Sequence, residues 1–116
     1  VWRSLLEEVR AGKVCDSAFG CDVVAVQDVA AALIASVGNP AAFGQVFNLC
    51  DRFVYQRDLA RLAGDAIGIP AKAAGEDLPG PGPVRSEKVK ALGVDVRRGP
   101  EGIRDYFAEL DRALRG

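Results

Sequence analysis

The run Pro79-Gly80-Pro81-Gly82-Pro83 constrains this chain more than any other stretch. Three of its residues lack a backbone N–H and each proline ring fixes φ, so the run enters neither a helix nor a strand ladder. It is a connector, and helices and strands must be sought on either side of it. It is also the only dense glycine cluster, yet it follows no convincing strand and its prolines offer no donors to a phosphate. Elsewhere no glycines fall at the G-x-G-x-x-G, G-x-x-G-x-x-G or G-x-x-x-x-G-K-[ST] spacing of phosphate-cradling loops.

Before the connector, Trp2, Leu5, Leu6 and Val9 recur at i, i+3, i+4 and i+7, one face of a first helix that Gly12 can stop. Residues 13–20 read as a loop. Asp22-Val23-Val24-Ala25-Val26 is a short apolar run bounded by turn residues, hence a strand. Asp28 follows where an N-cap is wanted, and the helix it opens is expected to bury Val29, Leu33 and Val37 and to end at Gly38-Asn39-Pro40. Gly44 to Leu49 is the second strand candidate. Next comes the cleanest helix, with Leu59, Leu62, Ala63, Ala66 and Ile67 as its stripe and Gly68-Ile69-Pro70 as its stop. Residues 71–78 have room for one short strand. After the connector, Ser86 caps a short helix that Gly93 closes. Gly99-Pro100 opens the last helix, which buries Ile103, Tyr106, Phe107, Leu110 and Leu114. Helices alternating with two or three short strands over 116 residues predict a single α/β domain with a thin, partial sheet.

Charge excludes several functions. Fifteen Lys and Arg stand against sixteen Asp and Glu, interspersed rather than blocked, so no electrostatic footprint for nucleic acid or an anionic membrane exists. The longest apolar stretch, 23–37, is broken by Gln27 and Asp28, and no run reaches the roughly 18–20 residues of a membrane span. Three cysteines without a Cys-x-x-Cys pair predict reduced thiols and a cytoplasmic setting. Histidine is absent, which removes Ser-His and Cys-His pairs, His-ligated metal and the usual neutral-pH base; no metal site is expected.

The remaining candidates are few. Glu7-Glu8 lies on a polar helix face. Glu76-Asp77 precedes the connector, where a surface turn accounts for the pair more simply than a cleft. Cys21 and Cys50 fall at expected strand ends, where a small apolar side chain packs easily, and neither has a base to form thiolate. Tyr55 and Tyr106 are each followed four residues on by leucine (Leu59 and Leu110), so no Tyr-x-x-x-Lys occurs. No catalytic residue is expected. Weak substrate-contact candidates are Asn48, Cys50 and Arg52, beyond the second strand's carboxyl end, where α/β sheets bind ligands; for Asn48 a hydrogen-bonded turn role competes.

Taken in order, the segments resemble the extended short-chain dehydrogenases/reductases, the NAD-dependent epimerase/dehydratase family. Val23 to Leu33 is similar to a strand-to-helix segment reading V-[HY]-V-x-D-V-A-x-A, and Gly44 to Leu49 to the following G-x-x-[FY]-N-[LV]-G strand. Arg57-Asp58-Leu59-Ala60 with Ile67-Gly68-Ile69-Pro70 resembles the next helix, ending in L-G-x-P. Ser86-Glu87-Lys88 with Leu92-Gly93 resembles S-x-K…L-G, and Gly99 to Ile103 the start of the last helix. Trp2 to Gly12 reads like the helix before the first strand. The likeness covers nearly the whole chain.

The resemblance implies a partial Rossmann-type, substrate-side carboxyl-terminal region with about five helices. In that family the amino-terminal half carries the Gly-rich nucleotide loop and the Tyr-x-x-x-Lys pair, and both are missing here. NAD or NADP is thus expected for an intact family protein and not for this chain alone. The implied function is substrate binding for an alcohol/ketone or nucleotide-sugar oxidoreductase, without catalytic competence alone. The expected partners are a small-molecule substrate and either the missing half or a second copy. Ala25 stands at the [HY] position, Cys50 replaces the glycine after F-N-L, and Val94 replaces a common aromatic after L-G. Cys21 stands where many members carry an arginine for the substrate diphosphate, a contact worth about 1.5–3 kcal/mol, so the resemblance implies either a less anionic substrate or a site that no longer binds. The alternative from another class is a non-catalytic association domain that keeps the family packing and homodimerises or completes a partner.

Overall fold

The computed structural model describes residues 2–80 and 84–116; the middle of the Pro/Gly connector lies outside the described residues, while Pro79 and Gly80 are irregular as expected. The elements are α1 (Trp2–Arg10), β1 (Val14–Cys15), β2 (Gly20–Val23), α2 (Val26–Ser36), β3 (Arg52–Tyr55), α3 (Gln56–Ile67), β4 (Lys72–Ala73) and α4 (Pro100–Arg115). Two 3₁₀ helices, Pro40–Ala42 and Glu87–Leu92, complete the set. The fold is α/β, as the alternation predicts. The chain forms two compact units: Val1–Cys21, Val54–Gly80 and Gly99–Gly116 in the first, Asp22–Phe53 and Pro81–Arg98 in the second.

The first unit is built on α3. Leu59, Ala60 and Ala63 are fully buried there, and α1, α4, β1 and β4 all pack against this helix. Leu5, Leu6 and Val9 come in from α1, Ile103 and Phe107 from α4. The α1 stripe is as read from its spacing, whereas Tyr106 and Leu114 stay largely exposed. Trp2 stacks on Phe107 at 5.1 Å and meets Tyr106 edge-on at 5.2 Å, so the aromatic cluster closes the α1–α4 seam. Pro100 opens α4 after Gly99, as expected. The segment predicted as a loop over 13–20 contains β1, which pairs in parallel with β4: Val14 faces Lys72 and Cys15 faces Ala73. Two-residue strands carry no periodicity, so nothing in the sequence marks β1.

The second unit has a smaller core. Ala32 of α2 packs with Val89 and Val96, and Val24, Phe47, Leu49, Leu92 and Val94 surround them. Strands β2 and β3 pair with each other and supply residues to both units. The Asp51 amide donates to the Val23 carbonyl (2.7 Å) and Gln56 to Phe19 (2.9 Å), so the two strands run antiparallel.

Five expectations fail around this unit. The strand lies at 20–23 rather than 22–26, because α2 already begins at Val26. Ala25 is the N-cap residue and makes no side-chain cap, so Asp28 sits inside the first turn instead. Leu33 (63% exposed) and Val37 (82%) face outward, while Asp28 and Ala32 face the core. The helix is apolar on two sides, so its composition does not reveal which side is covered. Segment 44–49 forms no ladder, and the strand that does form is β3. Ser86 precedes the 3₁₀ helix without capping it, since its hydroxyl donates to the Cys50 carbonyl.

At the end of α3, Gly68 adopts φ +73°, the left-handed conformation that terminates helices at little cost only in glycine. Gly64 is needed for another reason: a Cβ there would lie 2.9 Å from the Ala71 amide and closer still to the Ile69 carbonyl oxygen. Gly64→Ala is expected to cost about 2–3 kcal/mol in urea denaturation. Gly68→Ala, strained only in φ with open space around it, should cost about 1 kcal/mol. Equal losses would contradict the backbone clash.

Candidate functional site

The three residues singled out as substrate contacts all belong to the second unit, on the stretch leading into β3. Asn48 is exposed. Cys50 is buried, its Sγ–H donating to Asp22 Oδ1 at 3.5 Å while its carbonyl accepts from Ser86 Oγ at 2.7 Å. Arg52 is half-buried, and its Nε is buried without a hydrogen-bond partner among the described residues. The nearest acid it faces is Asp51, 3.9 Å away. The segment thus presents one exposed amide, one anchored thiol and one guanidinium with spare donor capacity.

Electrostatics makes Cys50 a poor nucleophile. Burial pushes its pKa above the ordinary 9.0, and the Asp22 charge and hydrogen bond push the same way; backbone groups of Val84 and Val23 pull it partly back. Because the folded value lies above the unfolded one, the thiol's contribution to stability is complete below about pH 9. It is lost as pH climbs through the higher folded value.

A second charged pair organises α2. Arg98 donates from Nε to Asp28 Oδ2 (2.7 Å) and from a terminal nitrogen to Oδ1 (3.0 Å), a two-point contact that supports a planar fork. The hydrogen bonds and charge of Asp28 raise the Arg98 pKa, and Asp51 adds to this at longer range. Asp28 and Arg98 are 70 residues apart, so no local sequence signal links them.

In the first unit, Arg57 (3% exposed) donates to the Ala74 carbonyl at 2.8 Å and pairs with Asp77. Tyr55 Oη donates to the Leu78 carbonyl at 2.8 Å, and the Leu78 amide to Ala18 at 3.0 Å. Asp77 of the Glu76-Asp77 pair is thus a tether for segment 74–78, the surface-turn reading.

The strand-to-helix junctions of the described residues differ from those that cradle a dinucleotide. Pyrophosphate binding needs a strand-to-helix turn with bare amides at a helix N-terminus. Here Val24-Ala25 joins β2 to α2 without a glycine, and α3 follows β3 directly. Asp28, Asp58 and Glu101 lie in the first turns of α2, α3 and α4, where their negative charge disfavours a phosphate. Among the described residues no three Cys, Asp or Glu side chains gather as metal ligands, and no helix is long and apolar enough to cross a membrane.

Cys50→Ala should flatten the fall in thermal midpoint above about pH 9 relative to the parent chain, because the raised thiol pKa is removed with the side chain. In thiol titration with a chromogenic disulfide, exposed Cys21 should react well before buried Cys50. Asp28→Asn should cost about 1.5–3 kcal/mol by removing the ionic acceptor of Arg98.

No family model matches the chain, and no curated protein matches it. Among solved structures it is similar to that of RMD from Pseudomonas aeruginosa complexed with NADPH, with a TM-score of 0.63 and 16% identity. The match covers 93% of this chain and 39% of that one, so the chain spans about two fifths of the length of the structure it resembles. The chain therefore has the fold of part of an α/β, Rossmann-like protein that was solved with NADPH bound.

Proposed function

We propose that this chain is the substrate-side portion of an NAD(P)-dependent epimerase/dehydratase-like oxidoreductase, acting on an alcohol or ketone in the cytoplasm. One observation carries the reading: nearly all of this chain overlays on a minor part of a protein solved with NADPH. Acidic residues in the first turns of three helices add to it, since their charge disfavours a cofactor phosphate there. Hydride transfer then belongs to the whole protein. This chain's share is to hold the substrate, with Asn48 and Arg52 offering donors and Cys50 fixing the backbone between them.

A second reading, an association domain without chemistry, is favoured by the outward apolar residues of α2. Size separates the two: a well-folded homodimer supports association, and a monomer supports the substrate-side portion.

NADPH titrated into the 116-residue chain, followed by nicotinamide fluorescence and calorimetry, should show no saturable binding. Tight binding to this chain alone would sink the proposed division of labour.

A further inference from the structure

The segment that follows the Pro/Gly connector is fastened to the candidate substrate stretch at three points. The Val84 backbone hydrogen-bonds the Cys50 thiol. Ser86, itself 5% exposed, donates from Oγ to the Cys50 carbonyl at 2.7 Å. Lys88 Nζ donates to the Val46 carbonyl at 3.0 Å and lies 5.3 Å from the centre of the Phe47 ring. Every second residue of 84–88 thus grips residues 46–50, and both stretches belong to the second unit.

These grips are polar, and little apolar surface comes with them. Val84 is 44% exposed, and Arg85, Glu87 and Lys88 are exposed too. The apolar anchor comes only at Val89, which is 1% exposed and packs with Ala32 and Val96. Hydrogen bonds to protein exchange for hydrogen bonds to water, whereas a buried valine finds no such replacement. The cover that 84–86 provide lies over Cys50, whose side chain is 3% exposed. Its other contacts come from β2: Asp22 accepts from the thiol, and the neighbouring Asp51 amide donates to Val23.

We infer that residues 84–88 are a strap over the candidate substrate stretch, lifting as one piece about Val89 while the core of the second unit stays folded. Openings of this kind occur where few apolar contacts are lost, and they cost less than unfolding the unit. The strap bears on function through the proposed substrate role of residues 48–52, and to that extent rests on that reading. Closed, it fixes the backbone between Asn48 and Arg52; open, it frees that backbone to rearrange. Ser86 and Lys88 are positioning residues, acting on the site through the Cys50 and Val46 carbonyls.

The test is the rate at which Cys50 reacts with a chromogenic disulfide in the 116-residue chain carrying Cys15→Ser and Cys21→Ser. The rate should lie well below that in denaturing urea, yet stay nearly independent of urea before the unfolding transition, since a local opening exposes little surface. Ser86→Ala should speed the reaction about tenfold, and Lys88→Met several-fold, each by more than any fall in the urea midpoint accounts for. Ser86→Thr, which keeps the hydroxyl, should restore the parent rate. A rate that climbs with urea along the full unfolding slope assigns the exposure to global unfolding and overturns the strap. So does a thiol without protection, or a rate that either substitution leaves unchanged once lost global stability is subtracted. NADPH takes no part in this reaction, so the strap and the proposed division of labour fail separately.

Discussion

The first unit depends on how closely α3 lets its neighbours approach. Ala60, Ala63 and Gly64 place almost no bulk on its inner side, so α1, α4 and the β1–β4 pair can all reach one helix. Leu59 and Phe107, both without accessible surface, fill the space that remains. Close packing of this kind tolerates little change in volume. The small residues therefore matter as much as the large ones, although hydrophobic periodicity registers only the large ones.

That difference sets what was legible in the sequence. Leu5, Leu6 and Val9 could be read as a face because the opposite side of α1 carries Arg3, Glu7 and Glu8. The stop at Gly68 and the start at Pro100 were legible from backbone chemistry alone. Helix α2 offered no such contrast: with alanine, valine, leucine and isoleucine all round, its phase depends on what it packs against. Segment 44–49 departs from its expected strand for a related reason. Its residues have the habit of a strand, but a strand is defined by a partner, and the ladder formed at 52–55 instead.

The stretch that holds the candidate residues follows from position along the chain, and its contacts do not. Asn48, Cys50 and Arg52 are candidates because they follow an expected strand, and they lie on one stretch of the second unit. What holds them came from elsewhere in the chain. Ser86 looked like a helix cap and instead secures the Cys50 carbonyl, and Asp22 looked like a strand boundary and instead accepts from the thiol. Asp28, by sequence a cap for its own helix, serves a guanidinium far along the chain. In each case a polar group was correctly noticed, and its partner was set by tertiary approach.

The tethers on segment 74–78 have a further consequence. Ala74 and Asp77 are held by Arg57, and Leu78 by Tyr55; these two residues straddle the junction of β3 and α3. The segment is almost without regular structure, yet it cannot open by swinging free at its own ends. It must release Arg57, which is buried in the first turn of α3, and that turn must loosen with it. An irregular stretch that a protease would otherwise find first is thus tied to the opening free energy of the unit's central helix.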